Sequence, residues 1–514
     1  MGSVLSRARR AAKDRRLTGC AVLLGFFLSS CSGAGLKAPL KVGLPGDPGT
    51  VDPHLHNEVV PWSFLCNFYD GLVRFSARMQ LEPALAESWE WRDARHVVFH
   101  LRDGILFHNG KLLTSADVVA SFRRARDHPR SGVRHYLAGI RTVSAEGPRT
   151  VVVETEAPAP SLLNRLVFLF IVPQEDEGVN EITAPVGTGA YRLLGRRSGG
   201  NYHAKAFAGW SGEPEIKRVV FVPIPDDAER TRRFLDGDLD VAVGLADERL
   251  VDVLRRPSLK VLVQPTLRVR LLVVIPQAAN GEAARALADA RVRRALLLGI
   301  DRERLADAVF HGNATVASQL VHPAVFGFDP ILQPLPFDPG RARQLLAEAG
   351  FSDGFTVEMG HGPLPPAFLS SLTEDLERIN VRVRPVLVPF HELLQRAKDH
   401  TIPLFVMGRR CQTGDASEFL DSSIHSVDMA RGFGGENYAA FSDAEADRLI
   451  EAANIELDPD RRLMLLQQAQ RRALAGLPMI PLLVQWDHIG VSSRVAMETR
   501  HDSWLLVASY RWRE

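Results

Sequence analysis

Five histidines near the N-terminus are the side chains whose type and spacing could assemble a metal site. They are His54, His56, His96, His100 and His108. Neutral imidazole is a common ligand of zinc, copper and nickel, so these residues could serve an exported metal-binding protein or a metal-assisted hydrolase. Their spacing does not match the closed ligand sets of structural metal motifs. Scattered histidines without a shared site are the simpler interpretation, and we expect neither a metal nor another cofactor.

Other catalytic motifs are present only as incomplete matches. Residues 104–112 approach a phosphate-binding loop, but Leu112 stands where a metal-binding hydroxyl is required. His391 and Glu392 begin a zinc-protease helix motif, which Gln395 breaks because the second imidazole is missing. The sequence contains neither a Gly-x-Ser-x-Gly elbow nor a Cys-x-x-Cys pair. We therefore predict that the protein is not an enzyme.

Residues 1–30 are typical of a signal peptide. A basic run ends at Arg16, and the apolar stretch at 17–28 is shorter than the roughly 20 residues that a membrane span needs. Leu28, Ser29 and Ser30 then precede Cys31, and this segment resembles a bacterial lipobox. The resemblance implies cleavage before Cys31 and lipidation of that cysteine. The mature protein would then be anchored in the periplasm or at the outer face of the cytoplasmic membrane.

The overall composition excludes several classes of protein. The 514 residues, about three domain-sized units, are 46% hydrophobic and 24% charged, which is ordinary for a globular protein. Lys and Arg number 62 against 61 Asp and Glu, so the basic excess that phosphate backbones select is absent and nucleic acid is not expected as a partner. Behind the proposed anchor only Cys66 and Cys411 remain, and we expect both to be buried free thiols.

Short apolar strand patterns alternate with helical patterns, which predicts an α/β fold. Examples are predicted strands at 150–155 and 259–263 and predicted helices at 115–127 and 459–474. The composition changes near 275–281, where long helices become dominant. We therefore expect two lobes with a cleft between them that can close by hinge motion.

The predicted domain boundaries follow from these changes. Lobe I covers 31–279, lobe II covers 280–477, and residues 478–514 return to lobe I because strand character reappears after the last long helix.

Several segments in a fixed order resemble one family, the extracellular solute-binding proteins of family 5, which serve ABC importers of peptides and nickel. The segments lie at 50–53, 69–72, 85–90, 98–104, 107–119, 185–191, 292–302, 337–350 and 477–482. The resemblance implies a two-lobed periplasmic-binding-protein-like fold of type II, class C. Mixed β-sheets flanked by helices would form the lobes, with an extra subdomain in lobe I and the ligand in the interlobe cleft.

The resemblance also points to a ligand-binding segment at 408–421. In peptide-binding relatives this segment carries an acidic residue that pairs with the α-ammonium of the peptide. One alignment places Gln412 at this position and another places Asp415 there, and the sequence leaves both open. A buried ammonium needs a carboxylate partner, so Gln412 would disfavour free-amino peptides. Arg409 and Arg410 could each bind a carboxylate, which would favour an acidic or neutral polar solute.

Four further candidates for ligand contact lie on predicted loops. They are His54, Asn57 and Trp62 after the first strand, and Asn437 in the glycine-rich segment 434–438. Polar groups on loops around an apolar cleft commonly give such pockets their specificity.

Together these features predict a lipid-anchored substrate-binding protein of an ABC importer. It would capture a peptide or another small polar solute and deliver it to the transmembrane permease subunits. We expect a monomer whose partners are the solute, the permease and, through Cys31, the membrane. The alternatives are an exported metal-binding protein or hydrolase that uses the N-terminal histidines, and a binding protein used for sensing.

Overall fold

The computed structural model describes residues 38–197, 199–310 and 314–513. The proposed signal peptide and Cys31 lie outside these ranges. Within them, no helix is both long enough and apolar enough to cross a bilayer. The strands are β1 Leu40–Leu44, β2 Val73–Phe75, β3 Leu81–Pro83, β4 Ala86–Trp91, β5 His96–Leu101, β6 Ile140–Ala145, β7 Thr150–Thr155, β8 Tyr191–Arg196, β9 Tyr202–Ala206, β10 Arg218–Pro223, β11 Val241–Val243, β12 Leu259–Val274, β13 Ala314–Val316, β14 Phe355–His361, β15 Val381–Leu387, β16 Leu404–Arg410, β17 Met479–Ser492, β18 Val495–Ala496 and β19 Arg511–Trp512.

Helices separate many of these strands and cover the sheets. The α-helices are α1 Val59–Leu65, α2 Ser115–Asp127, α3 Leu162–Leu166, α4 Asp227–Leu235, α5 Leu250–Leu254, α6 Gly281–Ala288, α7 Ala290–Gly299, α8 Arg302–Phe310, α9 Pro339–Glu348, α10 Pro366–Glu377, α11 Phe390–Lys398, α12 Ser417–Ser423, α13 Ala444–Ile455 and α14 Pro459–Gly476. The predicted helices at 115–127 and 459–474 correspond to α2 and α14.

One mixed sheet joins strands from both halves of the chain. Its strand order is β15-β14-β16-β12-β17-β11-β1-β10-β9-β8, and β13 also pairs with β17. β1 runs parallel to β10 and β11, and β14 runs parallel to β15 and β16, whereas the central pairs are antiparallel. The predicted α/β class with mixed sheets flanked by helices is confirmed.

The long antiparallel pair β12 and β17 forms the centre of this sheet. The first part of β12 pairs with β17 from Leu259 opposite Ser492 to Pro265 opposite Trp486, and pairing resumes with Val269 opposite Val484. The regular pairing breaks directly after Pro265, a residue that has no N–H to donate to the ladder. Beyond the shift, β12 also pairs with β16. The same strand therefore belongs to both halves of the sheet.

A separate antiparallel sheet of order β4-β5-β7-β6 lies within residues 86–145 and 150–155. Its covering helix α2 begins where the sequence predicts, because the carboxylate of Asp117 accepts the Thr114 backbone N–H at 2.8 Å. The second oxygen of Asp117 accepts the Gln174 N–H at 2.9 Å. This capping residue therefore also holds the chain that follows α3.

A buried ion pair fastens the chain after β1 to α2. Arg124 donates to both carboxylate oxygens of Asp52 at 2.9 and 2.6 Å, and both side chains are fully buried. Asp52 also accepts the backbone N–H groups of His54 and Ile182. The segment 50–53, which resembles the family pattern, therefore supplies a structural anchor. Cys66 and Cys411 are buried and free, as predicted.

The buried pair leads to a stability prediction. Asp52→Asn leaves the Arg124 guanidinium buried without a counter-charge, so we expect the free energy of unfolding to fall by about 3–5 kcal/mol in urea titrations of the mature chain. The matched control is Glu146→Gln, which breaks the exposed pair of Glu146 with Arg92. The control should cost less than about 1 kcal/mol, and equal losses in the two variants would contradict the assignment.

Candidate functional site

A large cleft, about 1130 Å³ in volume, collects charged side chains from both halves of the chain. We call it the central cleft. Its walls come from β16, α12 and α13, from the segment 431–438, and on the other side from residues 135–161 and α3. The charged residues that line it are Glu156, Arg165, Arg268, Arg409, Arg410, Glu418, Asp421, Arg431 and Glu436. Both signs of charge are thus available to a bound solute.

Four of the eight residues proposed from the sequence line this cleft. They are Asn57, Arg409, Arg410 and Gln412. The other four, His54, Trp62, Asp415 and Asn437, are buried and are not among the lining residues.

Asp415 is held in a second buried ion pair. Its carboxylate oxygens accept N–H groups of Arg462 at 2.5 and 2.8 Å, and one of them also accepts the N–H and hydroxyl of Ser417. Gln412, by contrast, lies on the cleft wall. Of the two residues that the alignments left open, Gln412 is therefore the one that faces the cleft.

His54 and Trp62 belong to the core beside the cleft. The Nε2–H of His54 donates to the Phe170 carbonyl at 2.8 Å, and Nδ1 accepts from Arg124 at 3.0 Å. Burial lowers the pKa of His54 to about 4, so its ring is neutral at pH 7. Trp62 packs against Phe168, with ring centroids 4.6 Å apart. Both side chains lie in the core behind the cleft wall and support it.

Asn437 stabilises the loop that closes one side of the cleft. Its amide nitrogen donates to the carbonyls of His425 and Phe441, and its oxygen accepts the Phe441 N–H at 2.9 Å. All of the polar atoms of its side chain are therefore used inside the loop.

The N-terminal histidines do not come together as a metal site. His96 contacts Asp93, and His100 on the same strand lies 3.6 Å from Glu90. His108 bonds to the Gly189 carbonyl at 2.9 Å. Across the described ranges, no group of three or more His, Cys, Asp or Glu side chains is arranged to hold a metal ion. The arrangement of these histidines therefore gives no support to the alternative of an exported metal-binding protein or hydrolase.

The charged side chains of the cleft wall differ in how far neighbouring groups offset their charge. Arg409 donates to the Ser422 hydroxyl at 3.0 Å, forms an ion pair with Glu436 and lies over the Phe419 ring. Arg165 is half-buried and donates to the Ala138 carbonyl. Burial lowers the pKa of Arg165, and the charges of Asp421 and Asp415 act in the opposite direction.

Sequence reasoning missed two carboxylates on α12, Glu418 and Asp421. Their spacing of three residues puts them on one face of the helix, and both line the cleft. Glu418 accepts the N–H and hydroxyl of Thr413, and burial raises its pKa. Asp421 accepts one N–H of Asn454 at 2.8 Å, and burial raises its pKa to about 7. The spacing in the sequence was the available signal for this pair.

A two-lobed α/β fold with a large charged cleft defines the class of solute-binding proteins, and comparison with known proteins identifies the family. The model of a family described as "Bacterial extracellular solute-binding proteins, family 5 Middle" matches residues 80–431. The chain belongs to this family.

Individual relatives are similar over most of their length. Heme-binding protein A of Haemophilus influenzae is 27% identical over 465 residues, which cover 83% of each chain. Glutathione-binding protein GsiB of Salmonella typhimurium is 26% identical over 457 residues, covering 85% of this chain and 87% of the relative. The solved structure of HbpA2 from Haemophilus parasuis superimposes with a TM-score of 0.80 at 23% identity, covering 93% of this chain and all of the other, and it shows the same fold.

The raised pKa of Asp421 predicts a pH-dependent stability. In the unfolded chain this carboxyl ionises near pH 4, but in the folded protein it does so near pH 7, so the folded protein binds more protons between these values. Stability from this group is complete below about pH 4 and is lost as the pH rises to about 7. Asp421→Asn should therefore leave stability at pH 4 unchanged and raise it by roughly 1–3 kcal/mol at pH 8.

Urea titrations at the two pH values measure this difference. Asp353→Asn, at an exposed site, is the control and should change stability equally little at both. A pH-independent effect of Asp421→Asn would contradict the raised pKa of Asp421.

Proposed function

We propose that this protein is the substrate-binding component of an ABC importer, which captures a small polar solute in the central cleft and passes it to the permease. The observation that carries the proposal is the cleft itself, which places charged side chains of both signs around about 1130 Å³ in a chain of family 5. Ligand pockets for small molecules usually measure about 300–1,000 Å³, so the cleft has room for a solute together with ordered water. Binding and release, without turnover, is the activity that this arrangement supports.

The solute that fits this wall is ionised and peptide-like in size. The names of two relatives give heme and glutathione as their ligands, and both molecules carry carboxylates. Asp415 is committed to Arg462, so a ligand ammonium would instead meet Glu418 or Asp421 on α12. We assign direct ligand contacts to Asn57, Arg409, Arg410 and Gln412, in addition to these two carboxylates.

We further propose that the mature chain acts as a monomer that is lipid-anchored through Cys31 outside the cytoplasmic membrane. The sequence before Cys31 supports the anchor. A tether on a diffusing lipid would keep the protein on the surface in which the permease lies and so raise its effective concentration there.

Ligand binding should stabilise the folded chain without turnover. For a solute at a hundredfold excess over Kd, the free energy of unfolding rises by about 2.7 kcal/mol. We expect native mass spectrometry of protein purified without refolding to show a retained organic solute, and the same solute to raise the melting temperature of stripped protein. Chemical conversion of the solute, or a folded protein that binds nothing across peptide, heme and metal-chelate panels, would contradict the proposal.

The lipid anchor has its own test. We expect the full-length chain to incorporate radiolabelled palmitate and to fractionate with membranes, and Cys31→Ser to abolish both. Cys20→Ser is the matched control, because Cys20 precedes the proposed cleavage site and should leave labelling intact. Labelling that persists in Cys31→Ser would overturn the anchor and leave the binding function standing.

A further inference from the structure

Three arginines share one face of the main sheet at the end of the central cleft. Arg268 and Arg270 are alternate residues of β12, and alternate residues of a strand point to the same face. Arg410 of β16 is the direct register partner of Arg268, and Gly408 is the partner of Arg270. Like charges directly opposite each other in an antiparallel pair destabilise a sheet. The backbone thus places three guanidiniums together.

Few groups balance the charge of these arginines. Asp487 of β17 lies 3.4 Å from Arg410 and is the one carboxylate in an ion pair with any of the three among the described residues. The amide oxygen of Gln485 accepts from Arg268 at 3.4 Å and from Arg270 at 3.0 Å, but it brings no charge. Three guanidiniums and one carboxylate leave an excess of about two positive charges.

Burial makes this excess costly. The side chain of Arg410 is 13% exposed. Burial, and then the charge of Arg268, lowers the pKa of Arg270 and that of Arg410 to about 10. An uncompensated buried charge normally destabilises a fold by several kcal/mol. The buried Arg124 and Arg462 have the carboxylate partners Asp52 and Asp415, whereas the buried Arg230 and Arg302 donate to backbone carbonyls. The three arginines at the sheet face differ from both groups because they lie beside one another and two of them line the cleft.

The geometry points to an anion subsite in which Arg268 and Arg410 bind a carboxylate of the transported solute, with Arg270 adding positive charge behind them. Arg268 and Arg410 both line the central cleft, so a ligand can reach them. Guanidinium groups bind carboxylates through paired N–H donors, and a solute carboxylate would supply the missing negative charge. This inference rests on the proposed binding function and adds the substrate class, a solute with at least one free carboxylate.

The test compares acids with analogues whose carboxylates are replaced by uncharged ester or amide groups, which are called neutral analogues for that reason. The probes are glutathione and its diethyl ester, N-acetyl-Ala-Ala and its amide, and succinate and succinamide, titrated at equal ionic strength. Apparent Kd values come from thermal shift and calorimetry on wild type, Arg268→Gln, Arg410→Gln and Arg396→Gln. Arg396 is the matched control, since it is a half-buried arginine on α11 that pairs with Glu358 and does not line the cleft.

We expect the wild type to bind the acid of at least one pair about tenfold or more tightly than its neutral analogue, which is about 1.4 kcal/mol. The preference should fall to about threefold or less in Arg268→Gln and Arg410→Gln and should persist in Arg396→Gln. The acid–neutral comparison on the wild type does not depend on either variant folding.

Each other outcome counts against the subsite. Neutral analogues that bind as tightly as the acids would overturn it while leaving the binding function intact. An acid preference that survives in both folded variants would do the same. A folded wild type that binds no probe would overturn the subsite, and the peptide, heme and metal-chelate panels would then decide separately whether the binding function stands.

Discussion

The antiparallel pairing of β12 with β17 is the interaction on which the rest of the structure depends. These two strands are the only neighbours in the main sheet, within the described ranges, that connect the group β15, β14 and β16 to the group β11, β1, β10, β9 and β8. The register shift after Pro265 lets one continuous strand serve both groups. Arg268 lies within this irregular stretch, so the geometry that joins the two halves also positions a cleft residue.

Charge balance separates the scaffold from the cleft. Asp52 with Arg124, and Asp415 with Arg462, are buried pairs in which nearly every donor and acceptor is used. Such pairs fix segments in place but have nothing left to offer a ligand. The cleft instead contains groups whose charge is only partly offset, namely Asp421, Arg165 and the arginines at the sheet face. The ionic residues that can respond to a solute are therefore those whose charge is only partly offset by neighbouring groups.

Local patterns predicted much of the fold. The strand at 150–155 and the helix at 115–127 have the predicted bounds, because alternation and an N-terminal cap are visible in the sequence. The strand predicted at 259–263 is only the first part of β12, and the pairing with β17 and β16 shows that the strand continues past Pro265 to Val274. The site was harder to predict. Asp415 pairs with Arg462, whereas Gln412 faces the cleft. The contact between Asp415 and Arg462 joins residues that are far apart in the sequence, so local patterns do not reveal it.

The position of β17 near the C-terminus affects how the chain folds. Its partners in β12 lie more than 200 residues earlier, for example Val261 opposite Gly490, so the centre of the sheet is assembled from very distant contacts. Such topology slows folding, because loop closure precedes the stabilising contacts. Until residues 479–492 have been synthesised, β11 and β12 lack their shared neighbour and remain open edges. A chain terminated before β17 would therefore expose these two edges and be prone to aggregation.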